Sequence, residues 1–230
     1  VPSIGKLDLH LYFVGLEEFD AAGARQDPVF QATIARVREL YGQAGVVVGD
    51  VTYHDVGGSA AIEYAVVDSI QGAGNEMAGV LAQSDPSAGP GLNFFFVREI
   101  VGGQDGYVIL GIAGGIPGPP DLSGGPHSGV LVGMTDYADG AEQFAQTMAH
   151  EGGHFLGLYH TSESSGTSFD PLAGTPECPA SRDANFDGYV SPQECKGYGV
   201  ENLMFWSAAS DASGLVSDQA FVLLRNPSVR

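Results

Sequence analysis

Apolar and polar residues alternate at the start of the chain. Leu7, Leu9, Leu11 and Phe13 are separated by Asp8, His10 and Tyr12, the period-two pattern of a half-buried strand. Pro28 then opens a stretch in which Val29, Ile34, Val37 and Tyr41 recur at helical spacing, closed by Gly42, which predicts a helix. Segments 46–52, 61–67, 93–97 and 107–112 are rich in Val, Ile and aromatic residues and predict further strands. A helix is expected around residues 72–84. Residues 111–129 are crowded with Gly and Pro and predict a loop. A short strand, 130–134, follows. After it Asp139, with Glu142 three residues on, predicts a capping box, and Phe144, Met148 and Phe155 mark the buried face of a helix. Beyond Gly157 the periodicity gives way to turns until a last helix near 218–225. This order predicts an α+β chain whose upper part, residues 1–157, is α/β-like with a twisted mixed sheet. Residues 158–230 form an irregular lower part of the same single domain. At 230 residues the chain is long enough for one sizeable core.

The predicted helix carries the chemistry. His150 and His154 lie four residues apart, so their side chains point within about 40° of each other on adjacent turns. Two imidazoles so placed can share one Zn²⁺ at about 2.0–2.1 Å. Glu151 sits about 60° around the helix from His154, beside a metal rather than on it, which suits a general base. Gly157 can take the positive φ that ends a helix and turns the chain back. His160, three residues on, is then placed as a third ligand. Three protein ligands leave a fourth position open, the mark of a catalytic rather than a structural zinc.

The run from His150 to His160 resembles the zinc motif of the metzincin metallopeptidases. The resemblance implies a metzincin-type fold, an active-site helix and a methionine turn beneath the metal, for which Met204 in Asn202-Leu203-Met204 is the candidate. Within that group the chain is most similar to the pappalysin-like members. The similarity rests on residues 157–161, Asp170-Pro171-Leu172, Thr175-Pro176 and residues 202–204. Trp206 departs from the pattern, standing where many relatives carry a tyrosine able to approach the metal. It is a candidate substrate or oxyanion contact. The implied activity is zinc-dependent endopeptidase chemistry on a protein or peptide, bound extended along an edge strand, 130–134 or its neighbour. The alternative is a calcium-dependent binding module on the same fold with little turnover.

Residues 183–194 match the twelve-residue EF-hand calcium loop. Asp183, Asn185 and Asp187 offer side-chain oxygens, Gly188 the sharp turn, Tyr189 its carbonyl, Ser191 its hydroxyl and Glu194 a bidentate carboxylate. Val190 falls where an apolar side chain packs inward. Cys178 and Cys195, the only cysteines, bracket the loop and predict a disulfide formed in an oxidising compartment. A loop of that size adds about 3 kcal/mol on the chain-entropy estimate. The expected role of calcium is structural. His10, His54 and His127 have no partner at metal spacing.

Composition adds the setting. With 28 acidic and 9 basic residues the formal charge is −19, which disfavours nucleic acid and anionic membranes. No apolar run approaches the ~20 residues of a membrane span. The expectation is a secreted protein, with a monomer assumed.

Overall fold

The computed structural model describes residues 4–17, 19–69, 76–102, 108–207 and 212–230. The strands are β1 (Gly5–Val14), β2 (Val46–Val56), β3 (Val66–Asp68), β4 (Leu92–Val97), β5 (Glu99–Val101), β6 (Gly111–Ala113) and β7 (Val130–Gly133). The helices are α1 (Ala21–Ala24), α2 (Pro28–Gly42), α3 (Gly58–Glu63), α4 (Glu76–Leu81), α5 (Ala141–Phe155) and α6 (Ser217–Leu223). Five strands form a sheet in the order β2-β1-β4-β7-β6. The first four are parallel and β6 runs antiparallel to β7. β3 and β5 form a separate parallel pair.

The alternation along β1 sorts its side chains between two layers. Leu7, Leu9, Leu11 and Phe13 join Phe94, Phe96, Val130 and Val132 in a core that also takes in α2 and α5. Tyr12 and Val14 point the other way, with Phe95, Leu131, Val80 and Leu81. The sheet is therefore covered on both faces, as parallel sheets require. A third cluster, around Cys178, Val190, Cys195 and Phe205, gives the turn-rich C-terminal part its own small core.

Helix α2 keeps its predicted limits, with Asp27 as N-cap accepting from the Phe30 amide and Pro28 in the first turn. Three expectations need correction. Residues 61–67 are not one strand. Gly57 caps α3, and the small residues Gly58–Ala61 wind into it, so pairing begins only at Val66. Asp139 does not stand at the N-cap of α5, which is Gly140. Residues Met134–Asp139 make a 3₁₀ turn, Gly140 at φ +105° interrupts it, and α5 starts at Ala141. Glu142 instead binds Arg36 of α2 at 2.9 Å. The predicted strand 107–112 shifts to Gly111–Ala113, which takes three residues from the expected 111–129 loop; residue 107 lies outside the described residues. So do residues 72–75 of the expected helix, of which α4 is the described part. Among the described residues no helix is long and apolar enough to cross a membrane.

Candidate active site

Helix α5 runs beneath the sheet with its C-terminal turn at one end of a cleft. Its two central glycines are matched to what lies behind them. A Cβ on Gly152 would fall 2.1 Å from the buried Tyr41 hydroxyl, and one on Gly153 would fall 2.7 Å from Met204 Sδ. The helix therefore packs against α2 and the residue 204 turn at backbone distance. After Phe155 the chain turns at Gly157, φ +109°, with the Gly157 and Leu158 amides donating to His154 and Gly153. That reversal returns His160 to the helix end.

The three histidines converge. His160 Nε2 lies 3.2 Å from His150 Nε2 and 3.1 Å from His154 Nε2. Each outer nitrogen has its own acceptor: His150 Nδ1 donates to Leu203 O at 2.7 Å and His154 Nδ1 to Leu158 O at 2.7 Å. His160 Nδ1 faces both Glu163 oxygens, at 3.1 and 3.2 Å. A carbonyl only accepts, so the Nδ1 atoms of His150 and His154 carry the protons and their Nε2 lone pairs point inward. Burial, followed by the neighbouring histidines, lowers His154 to about 4 and puts His150 well below its ordinary value. Both rings are therefore neutral at pH 7. Inward lone pairs this close repel unless a cation lies between them. A tetrahedral site with bonds of about 2.0–2.1 Å has donor–donor edges of about 3.3–3.4 Å, near the spacing found. The donor set fits a divalent transition metal. Among the described residues these three form the one group of His, Cys, Asp and Glu side chains gathered closely enough to hold a metal ion.

Glu151 lies beside them, partly buried. The Ala113 amide of β6 donates to it, and burial pushes its carboxyl up to about 8. A cation held by the histidines would lower it and favour the ionised carboxylate. Gly111 allows the approach, since a Cβ there would meet Glu151 Cγ at 2.5 Å. The cleft around these groups has a volume of about 630 Å³. One wall is β6 with Ile109, Leu110 and Ile116, and the other is Leu203, Trp206 and Ala212. The described edge strand beside the histidines is thus β6, the neighbour of segment 130–134.

Met204 is buried under the helix and its carbonyl accepts from Thr161. Its turn is held by a pair the sequence reading missed. Asn202 and Gln219, both buried, exchange two amide hydrogen bonds of 2.9 Å, and Asn202 also accepts from the Met204 amide. Trp206 lines the cleft, but its one N–H donates to Val190 O at 2.9 Å. A role as oxyanion donor requires that bond to be given up. In the Asp170–Thr175 turn the Thr175 hydroxyl and the Leu172 amide both donate to Asp170. Glu163 was also missed, although its spacing of three from His160 was readable.

The loop at 183–194 is folded on its own side chains. Asp183 accepts from the Phe186 and Gly188 amides, Asn185 from Asp187, and Asp187 from Tyr189. Glu194 accepts from Ala184 and Ser191, and the Ser191 hydroxyl is the chief cause holding its carboxyl down at about 2. The donors are all oxygens, which suits a hard cation, though the carboxylates are not clustered as the histidines are. Val190 is buried as expected and Cys178 and Cys195 are joined in a disulfide. His10 and His54 share the Thr52 hydroxyl, and His127 bonds Gly114 O, all away from the triad.

No family profile matches the chain, nor does any curated protein. Among solved structures it is similar to mature mirolysin of Tannerella forsythia in complex with a cleaved peptide. The match covers 97% of this chain and 92% of the other, at TM-score 0.58 and 16% identity. Mirolysin in complex with compound 9 matches at TM-score 0.55 and 15% identity, over 97% and 91% of the two chains. The chain has a metzincin-type fold. Metalloproteinase-II of Bacteroides fragilis matches at TM-score 0.49 and 14% identity, over 96% and 53%, too distant for any argument. In this chain the mostly parallel sheet packs against α5, the helix that carries His150 and His154.

Proposed function

We propose that this protein is a secreted zinc-dependent endopeptidase, stabilised by calcium. The observation that carries the reading is the convergence of three Nε2 atoms on one point, each ring anchored through its Nδ1, beside a carboxyl raised by burial. His150, His154 and His160 would hold the zinc. Bound there, zinc supplies a Lewis acid and brings the acidity of a water ligand near neutral pH. Glu151, whose carboxyl a bound cation would bring down toward its ionised form, takes a proton from the attacking water and returns it to the leaving amine. β6 is the described edge strand of the sheet at the cleft, to which an extended substrate can add as a strand. Met204 supports the helix from below, and Trp206 forms a wall.

Residues 1–157 above the cleft and 158–230 below it act as one catalytic domain. Asp183, Asn185, Asp187, the Tyr189 carbonyl, Ser191 and Glu194 would hold calcium. The disulfide supports an oxidising, extracellular setting. The motifs at 157–161, 170–176 and 202–204 support the pappalysin-like group, and mirolysin, of similar fold, has been seen with a cleaved peptide.

The test is cleavage of denatured casein and quenched peptides by the wild type, by Glu151→Ala and by chelated protein, with zinc content measured alongside. The wild type is expected to cleave with about one zinc per chain, and Glu151→Ala to keep its zinc while losing roughly 10²–10⁴ in rate. Zinc bound without any cleavage would replace this reading with the binding-module one.

A further inference from the structure

Two of the three Nδ1 protons in the triad end on backbone carbonyls, which the fold holds in place. His160 is different, because its Nδ1 faces a side-chain carboxylate, Glu163, at 3.1 and 3.2 Å. It also stands on the turn after α5 rather than on the helix, so less of the surrounding structure fixes its ring. Glu163 lies in a hairpin. Ser162 pairs with Phe169, the Glu163 amide donates to Ser168 O at 2.9 Å, and the Gly166 amide donates back to Glu163 O at 2.9 Å.

The hairpin is seated on the disulfide-closed segment at three points. The Cys178 amide donates to Ser162 Oγ at 2.8 Å, Ala180 to Gly166 O at 2.8 Å, and Val190 to Ser164 O at 2.8 Å. At Gly166 a Cβ would lie 2.5 Å from the Ala180 nitrogen, so the seat is at backbone contact. We propose that Glu163 is a positioning residue for His160, and that through it the segment closed by Cys178 and Cys195 sets the affinity of the triad for zinc. This rests on the zinc reading of the triad. A carboxylate on Nδ1 fixes the tautomer, aims Nε2 and makes the ring a better donor. Its own aim depends on the hairpin, and the hairpin is held where the disulfide holds it.

The experiment measures zinc affinity on the full chain by competition with a chromophoric chelator, independently of any cleavage. The proteins are the wild type, Glu163→Ala, Glu163→Gln, the double variant Cys178→Ser/Cys195→Ser, and that double variant carrying Glu163→Ala. Glu163→Ala is expected to bind zinc about 10–100-fold more weakly. Glu163→Gln keeps an acceptor oxygen and recovers part of the loss. Zinc-free wild type and Glu163→Ala should melt together, which separates positioning from unfolding. Removing the cysteines should weaken zinc binding with Glu163 present and have much less effect once it is gone. Affinity of Glu163→Ala within twofold of a wild type that binds one zinc overturns the positioning role. Equal losses from cysteine removal in both backgrounds overturn the coupling. If the cysteine-free chain does not fold, Ser162→Ala takes its place, because it removes only the acceptor of the Cys178 amide, and a zinc affinity it leaves within twofold of the wild type overturns the coupling. A wild type that binds no zinc overturns the zinc reading itself, a distinct result.

Discussion

At the start of α2 the Asp27 carboxylate accepts from the Phe30 amide at 2.8 Å and from the Tyr137 hydroxyl, 110 residues away. It caps α2 and ties it to the turn that leads into α5. The Tyr137 bond, followed by the Phe30 amide, holds the Asp27 carboxyl below its ordinary value. A group whose value falls on folding stabilises the fold above its unfolded value and loses that contribution as pH falls through the folded one. Asp27→Ala is therefore expected to cost about 1–2 kcal/mol at pH 7, and the difference should shrink below about pH 4. Urea unfolding at both pH values checks this, and a gap that widens in acid would contradict it. At this same scale the triad was legible, because His150, Glu151, His154, Gly157 and His160 act through fixed helical spacing and one turn. The Leu158 and Leu203 carbonyls were not, because backbone acceptors leave no trace in residue type. Gln219 was hidden for another reason: its partner Asn202 is 17 residues away, and only folding brings the two amides together.

Among the elements, α2 and β1 were readable because local propensity and burial agree along them. The sequence misled where they part. Residues 61–67 carry Ile62, Val66 and Val67, yet Ala60 and Ala61 are strong helix formers and continue the turn that starts after the Gly57 N-cap. Asp139 looks like a cap by spacing alone, but Gly140 at φ +105° takes that position. The disulfide-closed segment has little regular structure of its own beyond a short 3₁₀ turn at Ala180–Arg182. Its cross-link should therefore matter. Replacing Cys178 and Cys195 by Ser is expected to remove about 3 kcal/mol, read as a lower midpoint in guanidinium unfolding. An unchanged midpoint would show that the small core around Val190 and Phe205 holds the segment without help.

For the whole molecule, 28 acidic residues against 9 basic ones set a background of repulsion, and a bound cation relieves it locally. On the proposed calcium reading, the ion at a hundredfold above its Kd is expected to add about 2.7 kcal/mol, which for a chain of this size is a rise in Tm of roughly 5–10 °C. Asp187→Ala should abolish the rise. A Tm indifferent to calcium in the wild type would remove the ion from this account. The sheet carries a different consequence. Its described edge at the cleft, β6, is three residues long and pressed against the helix that bears Glu151. An edge so brief offers little purchase for the edge-to-edge stacking by which exposed strands seed aggregates. The same brevity limits what it can capture. If the proposed peptidase reading holds, only a stretch already free of its own hydrogen bonds can lie there, so compact native proteins are expected to pass the cleft untouched while frayed termini, linkers and denatured chains are engaged.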